Sequence, residues 1–89
     1  MLKLILKMKK MEQPKEINES TIDYIIDNAV ELTHKEKGGR YNACNRVLSK
    51  NPDTGGWYEA ILYVNYYGKP FVREEKDFFE QFAISSNKD

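Results

Sequence analysis

Cysteine and histidine are almost missing from this sequence: Cys44 and His34 are the sole examples of each in 89 residues. A single cysteine excludes an internal disulfide and a cysteine-based metal cluster, and it fits a reducing compartment. One cysteine and one histidine are too few ligands for a typical zinc site, so neither a metal nor a cofactor is expected. A surplus of one charge is missing as well. The 14 basic and 14 acidic residues cancel, which removes any global pull towards nucleic acid or a membrane. No stretch approaches the roughly 20 apolar residues that span a bilayer. The opening MLKLILKMKKM is broken by lysines and has no small-residue cleavage site after it, unlike a secretory signal. A cytoplasmic chain is the expectation.

What is present suits one small globular domain. The chain is 40% hydrophobic and 31% charged, which is enough apolar material to fold but too short a chain for two domains. Residues 2–9 alternate Leu2, Leu4, Leu6 and Met8 with Lys3, Lys7 and Lys9, the period of a half-buried strand. Residues 1–19 therefore read as an N-terminal strand or flexible arm plus a linker around Pro14. A single α+β domain then fills 20–84, and 85–89 is a frayed tail.

Within that domain a long helix is expected from Ser20. Ser20-Thr21-Ile22-Asp23 resembles a capping box. Ile22, Ile25, Ile26, Ala29 and Val30 make one apolar stripe, and Gly38-Gly39 stops it. Residues 40–50 fit neither helical nor strand period, and a strand is favoured because the turn formers of 51–56 follow. Trp57 to Tyr67 is rich in aromatic and β-branched residues and reads as a strand. After the Gly68-Lys69-Pro70 turn, Phe71-Val72-Arg73 starts a return strand, and Phe78, Phe79 and Phe82 recur at helical spacing. The expected fold is thus one long helix packed on a three-stranded antiparallel meander, with a short C-terminal helix and an extra N-terminal strand as an option.

Catalytic machinery is thin. His34 and Cys44 would make a nucleophile–base pair, but they carry no flanking signature. The simpler roles are a helix C-terminal cap for His34 and a small core residue for Cys44. Gly38-Gly39 and Gly55-Gly56 lack phosphate-loop spacing. Asp53-Thr54-Gly55 matches the aspartic-protease triplet, yet turn chemistry explains Asn51 to Gly56 completely. A non-catalytic chain is expected, with no catalytic residue to name.

Two features point to binding instead. Glu19, Asp23, Asp27 and Glu31 fall four apart, a stripe of like charge that works against its own helix and would suit a partner with a basic surface. Trp57, Tyr63 and Tyr67 share one face of the aromatic strand. If Tyr58, Leu62 and Val64 face the helix, that aromatic face points outward, where such rings make binding hot spots. The first expectation is therefore a protein-binding module: an adaptor, inhibitor or accessory subunit. Small chains of this style are common among phage and mobile-element proteins. A second copy of the chain is a candidate partner too.

The alternative is RNA. The expected order over 20–84, a helix, three strands and a helix, is similar to that of the double-stranded-RNA-binding domain. That resemblance is topological only, and it implies a lysine cluster at the start of the last helix. Here Arg73-Glu74-Glu75-Lys76-Asp77 stands there, net acidic. Lys35, Lys37, Arg40, Tyr41, Arg46 and Lys50 would form a replacement basic patch.

Overall fold

The computed structural model describes residues 14–85. The expected strand over 2–9, and residues 86–89 of the expected tail, lie outside the described residues. The chain forms α1 (Ile22–Asp27), β1 (Leu32–His34), β2 (Gly38–Lys50), β3 (Trp57–Asn65), β4 (Pro70–Glu74), α2 (Glu75–Gln81) and β5 (Phe82–Ile84). The strands make one five-stranded antiparallel sheet in the order β4-β3-β2-β1-β5. This corrects the expectation of a long helix on a three-stranded meander, and with it the similarity to the double-stranded-RNA-binding order. The meander β2-β3-β4 and the short late helix are present, but β1 extends the sheet where the long helix was expected, and β5 where the short helix was expected to include Phe82.

The first helix is six residues long, and both its ends have a defined hydrogen-bond geometry. Ahead of it, the Asn18 carboxamide oxygen accepts from the Ser20 and Thr21 backbone N–H groups, while the Thr21 hydroxyl donates to the Glu16 carbonyl. Thr21 is the N-cap and makes no side-chain cap bond, so the anticipated Ser20 capping box does not form. At the far end Ala29 adopts φ 50°. The Ala29 N–H donates to the Ile26 carbonyl and the Val30 N–H to the Ile25 carbonyl. These two bonds are the Schellman arrangement, with alanine at the left-handed position that glycine usually fills. The turn breaks the apolar stripe after six helical residues. Leu32 and His34 then alternate inward around Thr33, and β1 gains strand partners on both sides, β2 and β5.

β2 explains its own illegible pattern. The register with β3 slips between Ala43 and Asn45, so Cys44 is an extra residue in a bulge. Tyr41 and Ala43 point to the helix side before it, and Arg46 and Leu48 after it. The inward set thus passes from odd to even positions within one strand, and neither a period of two nor one of 3.6 fits across the break.

The sheet is curled. β4 and β5 lie at opposite edges, yet α2 joins them with no linker residue. A helix of that length spans about 10 Å, while four strand spacings come to roughly 19 Å. The edges must therefore approach each other, and the Arg73 guanidinium of β4 does sit 5.6 Å from the ring centre of Phe82 on β5. Both helices fill the concave side. There Tyr63 is the hub, with ring centres of Phe78 and Phe82 each 5.1 Å away, Phe71 at 5.5 Å and Tyr41 at 5.9 Å. Ile22, Ile25, Leu32, Ile61 and Phe78 are fully buried around it. The opposite, convex face carries Val47, Ala60, Leu62, Val64 and Val72, of which Ala60 is buried, Val72 exposed and the others half-buried.

Candidate functional site

The concave side holds two arginine centres. Arg46 donates to Glu75 at 2.8 Å and lies 3.5 Å from both Asp23 and Glu59. The hydrogen bond to Glu75 raises the Arg46 pKa, against the opposing effect of desolvation, and the charges of Glu75, Asp23 and Glu59 add to the rise. Arg73 donates to the Tyr63 hydroxyl at 3.2 Å and to Asp77 at 2.7 Å, and these two bonds raise its pKa too. Both clusters tie strands to helices: Arg46 joins β2 to α1, β3 and α2, and Arg73 joins β4 to α2.

The expected acidic stripe does not exist as one surface. Asp23 and Asp27 are in α1, Glu19 precedes it, and Glu31 follows it in the approach to β1. Asp23 is engaged by Arg46, and Glu31 lies 3.8 Å from Arg40. The aromatic trio is also dispersed. The helices cover the face of Ile61 and Tyr63, not that of Tyr58, Leu62 and Val64. Tyr63 is 4% exposed and belongs to the core. Trp57 and Tyr67 are exposed, but they stand at opposite ends of β3, whose eight steps span about 26 Å.

Trp57 belongs to a distinct feature that the sequence pattern did not reveal. β4 pairs with β3 only from Ala60 to Val64, and β1 pairs with β2 only near Gly38 to Tyr41. The far end of the β2–β3 hairpin, residues 48–59, therefore projects as a two-stranded arm. Its cross-strand pairs are Leu48 with Glu59, Ser49 with Tyr58 and Lys50 with Trp57. Leu48 and Trp57 are diagonal neighbours on one face, 64% and 63% exposed, and Tyr58 stands on the other face. The Lys50 ammonium lies 5.7 Å from the Trp57 ring centre. The tip is a rigid turn: the Asn51 carboxamide oxygen accepts from the Asp53 and Thr54 N–H groups, and Gly55 takes φ 76°. Asp53 is a turn residue here, as its context suggests. Exposed Glu59 and Glu74, with Glu75 behind them, flank Tyr58 at the base of the arm.

The opposite end of the sheet gathers the β1–β2 and β3–β4 turns. Of the six residues considered for RNA, Lys35, Lys37 and Arg40 are exposed here. The other three are elsewhere: Tyr41 packs edge-on against Tyr63 and Phe82, Arg46 is held by three carboxylates, and Lys50 is on the arm. Sequence reasoning missed Tyr66 and Lys69, which the β3–β4 turn brings to this end beside Tyr67.

His34 and Cys44 take different places from those expected. His34 is not a helix cap. It is buried in β1, its Nδ1 accepts from the Glu36 and Lys37 N–H groups, and its ring meets Phe82 edge-on. Cys44 is not in the core but exposed on the bulge, with its thiol directed at the Asn42 carbonyl. Among the described residues, no group of three His, Cys, Asp or Glu side chains is placed to hold a metal ion, and no helix is long and apolar enough to cross a membrane. No family model matches the chain, nor does any curated protein or solved structure.

Proposed function

We propose that this chain is a small protein-binding module, working as an adaptor, inhibitor or accessory subunit, that engages its partner through the β2–β3 arm. The observation that carries this reading is the exposure of Leu48, Trp57 and Tyr58 on a ribbon that, among the described residues, has no further strand on either flank. A lone two-stranded hairpin is only marginally stable in water, so one that displays large apolar side chains gains from being covered. Buried apolar area contributes about 25 cal/mol per Å², and Trp and Tyr dominate interface energetics. The charges agree. Residues 48–59 carry Lys50 against Asp53 and Glu59, and Arg46 lies 3.5 Å from Glu59, so the arm has no surplus of cations to attract phosphate. With Glu74 at its base, the arm offers an aromatic centre with an acidic rim, which suits a partner whose own rim is basic.

Affinity capture of the tagged chain from lysate, with and without nuclease, tests this. A protein recovered at one-to-one ratio, resistant to nuclease, should fall at least tenfold with the Leu48→Ser/Trp57→Ala variant while the melting temperature holds. Equal recovery by the variant would remove the arm as the docking surface. A change in sedimentation of the isolated chain on the same substitution would make the partner a second copy.

A further inference from the structure

The end of the sheet opposite the arm has the composition of a different kind of surface. Register places Arg40 beside Tyr66 across β2 and the end of β3, since Tyr41 pairs with Asn65. The Arg40 guanidinium lies 5.5 Å from the Tyr66 ring centre, and Tyr66 and Tyr67 meet edge-to-face at 5.3 Å. Gly39, Arg40, Tyr66 and Tyr67 line a shallow cleft of about 380 Å³. Tyr67 is 87% exposed and Tyr66 67% exposed, so neither ring serves the core. The neighbouring turns add Lys35, Lys37 and Lys69, all exposed. Against these four cations stand Glu31 and Glu36, a net charge of +2 on a chain that is neutral as a whole.

We propose that this end binds single-stranded nucleic acid, with Tyr67 and Tyr66 as stacking platforms and Arg40, Lys35, Lys37 and Lys69 along the phosphates. Two properties favour this partner over a protein. The cluster presents flat rings and cations, the pair of groups that holds unpaired bases and their backbone without reading sequence. The rings are fixed on turns rather than on long side-chain stems: the Asn65 carboxamide oxygen accepts from the Tyr67 and Lys69 N–H groups. A duplex would hide its base faces in its own stack, so the strand must be single.

The test is fluorescence anisotropy of the full chain with labelled twelve-nucleotide oligouridine and oligothymidine, and with a twelve-base-pair duplex. Binding of either single strand is expected to weaken about four- to sevenfold for each doubling of salt if three or four phosphates are neutralised. Tyr67→Ala should weaken it by about fivefold or more, and Arg40→Glu should weaken it and flatten the salt dependence. Trp57→Ala should leave it unchanged. A preference for one oligomer would identify the sugar that is read. The proposal is overturned if neither single strand binds at low salt, if Tyr66→Ala/Tyr67→Ala binds like the parent, or if the duplex binds as tightly. Loss of a captured protein from the tyrosine variant, with no oligonucleotide binding by the parent, would assign this end to a protein instead.

Discussion

Replacing Arg46 by methionine removes the charge that links β2 to α1, β3 and α2 while keeping an unbranched stem in place. The three pairs differ in weight. Asp23 and Glu59 have side chains 72% and 64% exposed and lie 3.5 Å from the guanidinium, so each is worth only a few tenths of a kcal/mol. Glu75 is 13% exposed and bonded at 2.8 Å. A hydrogen bond to a charged group contributes about 1.5–3 kcal/mol, and the substitution also strands a largely buried carboxylate. The expected loss is about 2–3 kcal/mol, which in a domain of this size lowers the melting temperature by roughly 10–20 °C. Because the penalty is the stranded carboxylate, Arg46→Met/Glu75→Met should recover more than half of it. Urea and thermal unfolding followed by far-ultraviolet circular dichroism measure both variants. A single-variant loss below about 0.5 kcal/mol, or a double variant no more stable than the single, would refute this reading of the cluster. Since Arg46 is held by carboxylates, Arg46→Met should also leave oligonucleotide binding unchanged in conditions where the variant is folded.

Two further outcomes follow from the fold. Ala29→Gly should stabilise the chain by about 0.5–1 kcal/mol, because the left-handed position at φ 50° costs alanine about 1–2 kcal/mol and glycine returns part of that gain through the entropy of its unfolded chain; the urea midpoint reads it, and a lower midpoint would contradict the Schellman turn. Phe78→Ala, at a side chain with 0% exposure, should cost about 3–5 kcal/mol, and a cost below about 1 kcal/mol in the same unfolding measurement would place Phe78 outside the core.

The parts of this fold that were legible from sequence were those with one period and clear punctuation. β3 announced itself through β-branched and aromatic residues and the turn at 51–56 through Asn, Gly and Pro, while the turn expected at 68–70 falls at 66–69, with Pro70 already paired to Val64. α2 was legible in Phe78 and Phe79, although Phe82, read at the same helical spacing, stands in β5. The failures have specific causes. The stripe Ile22, Ile25, Ile26, Ala29, Val30 looks continuous, and nothing about Ala29 as a residue type signals a helix stop; what ends the helix is the strand pairing of the following residues with β2 and, some fifty positions later in the chain, with β5. Such non-local pairing overrides local propensity. The Cys44 bulge blurred the period of β2 by shifting its inward set midway, and the strand expected over 40–50 rested on the turn that follows it instead. The side of β3 facing the helices depends on where α2 crosses, so Tyr63 could not be assigned to core or surface from alternation alone. For the candidate surfaces, the acidic and basic residues were visible as charges but not as pairs, and the arm became apparent only once the lengths of β1 and β4 limited their reach along the central hairpin.

The most direct measurement is photocrosslinking in cells, with a benzophenone side chain in place of Leu48 on the arm and, separately, in place of exposed Val72 on the convex face of β4. A discrete protein adduct at position 48 with none at position 72 is the predicted result. An adduct at 72 with none at 48 would contradict the arm as the surface on which this chain meets its partner.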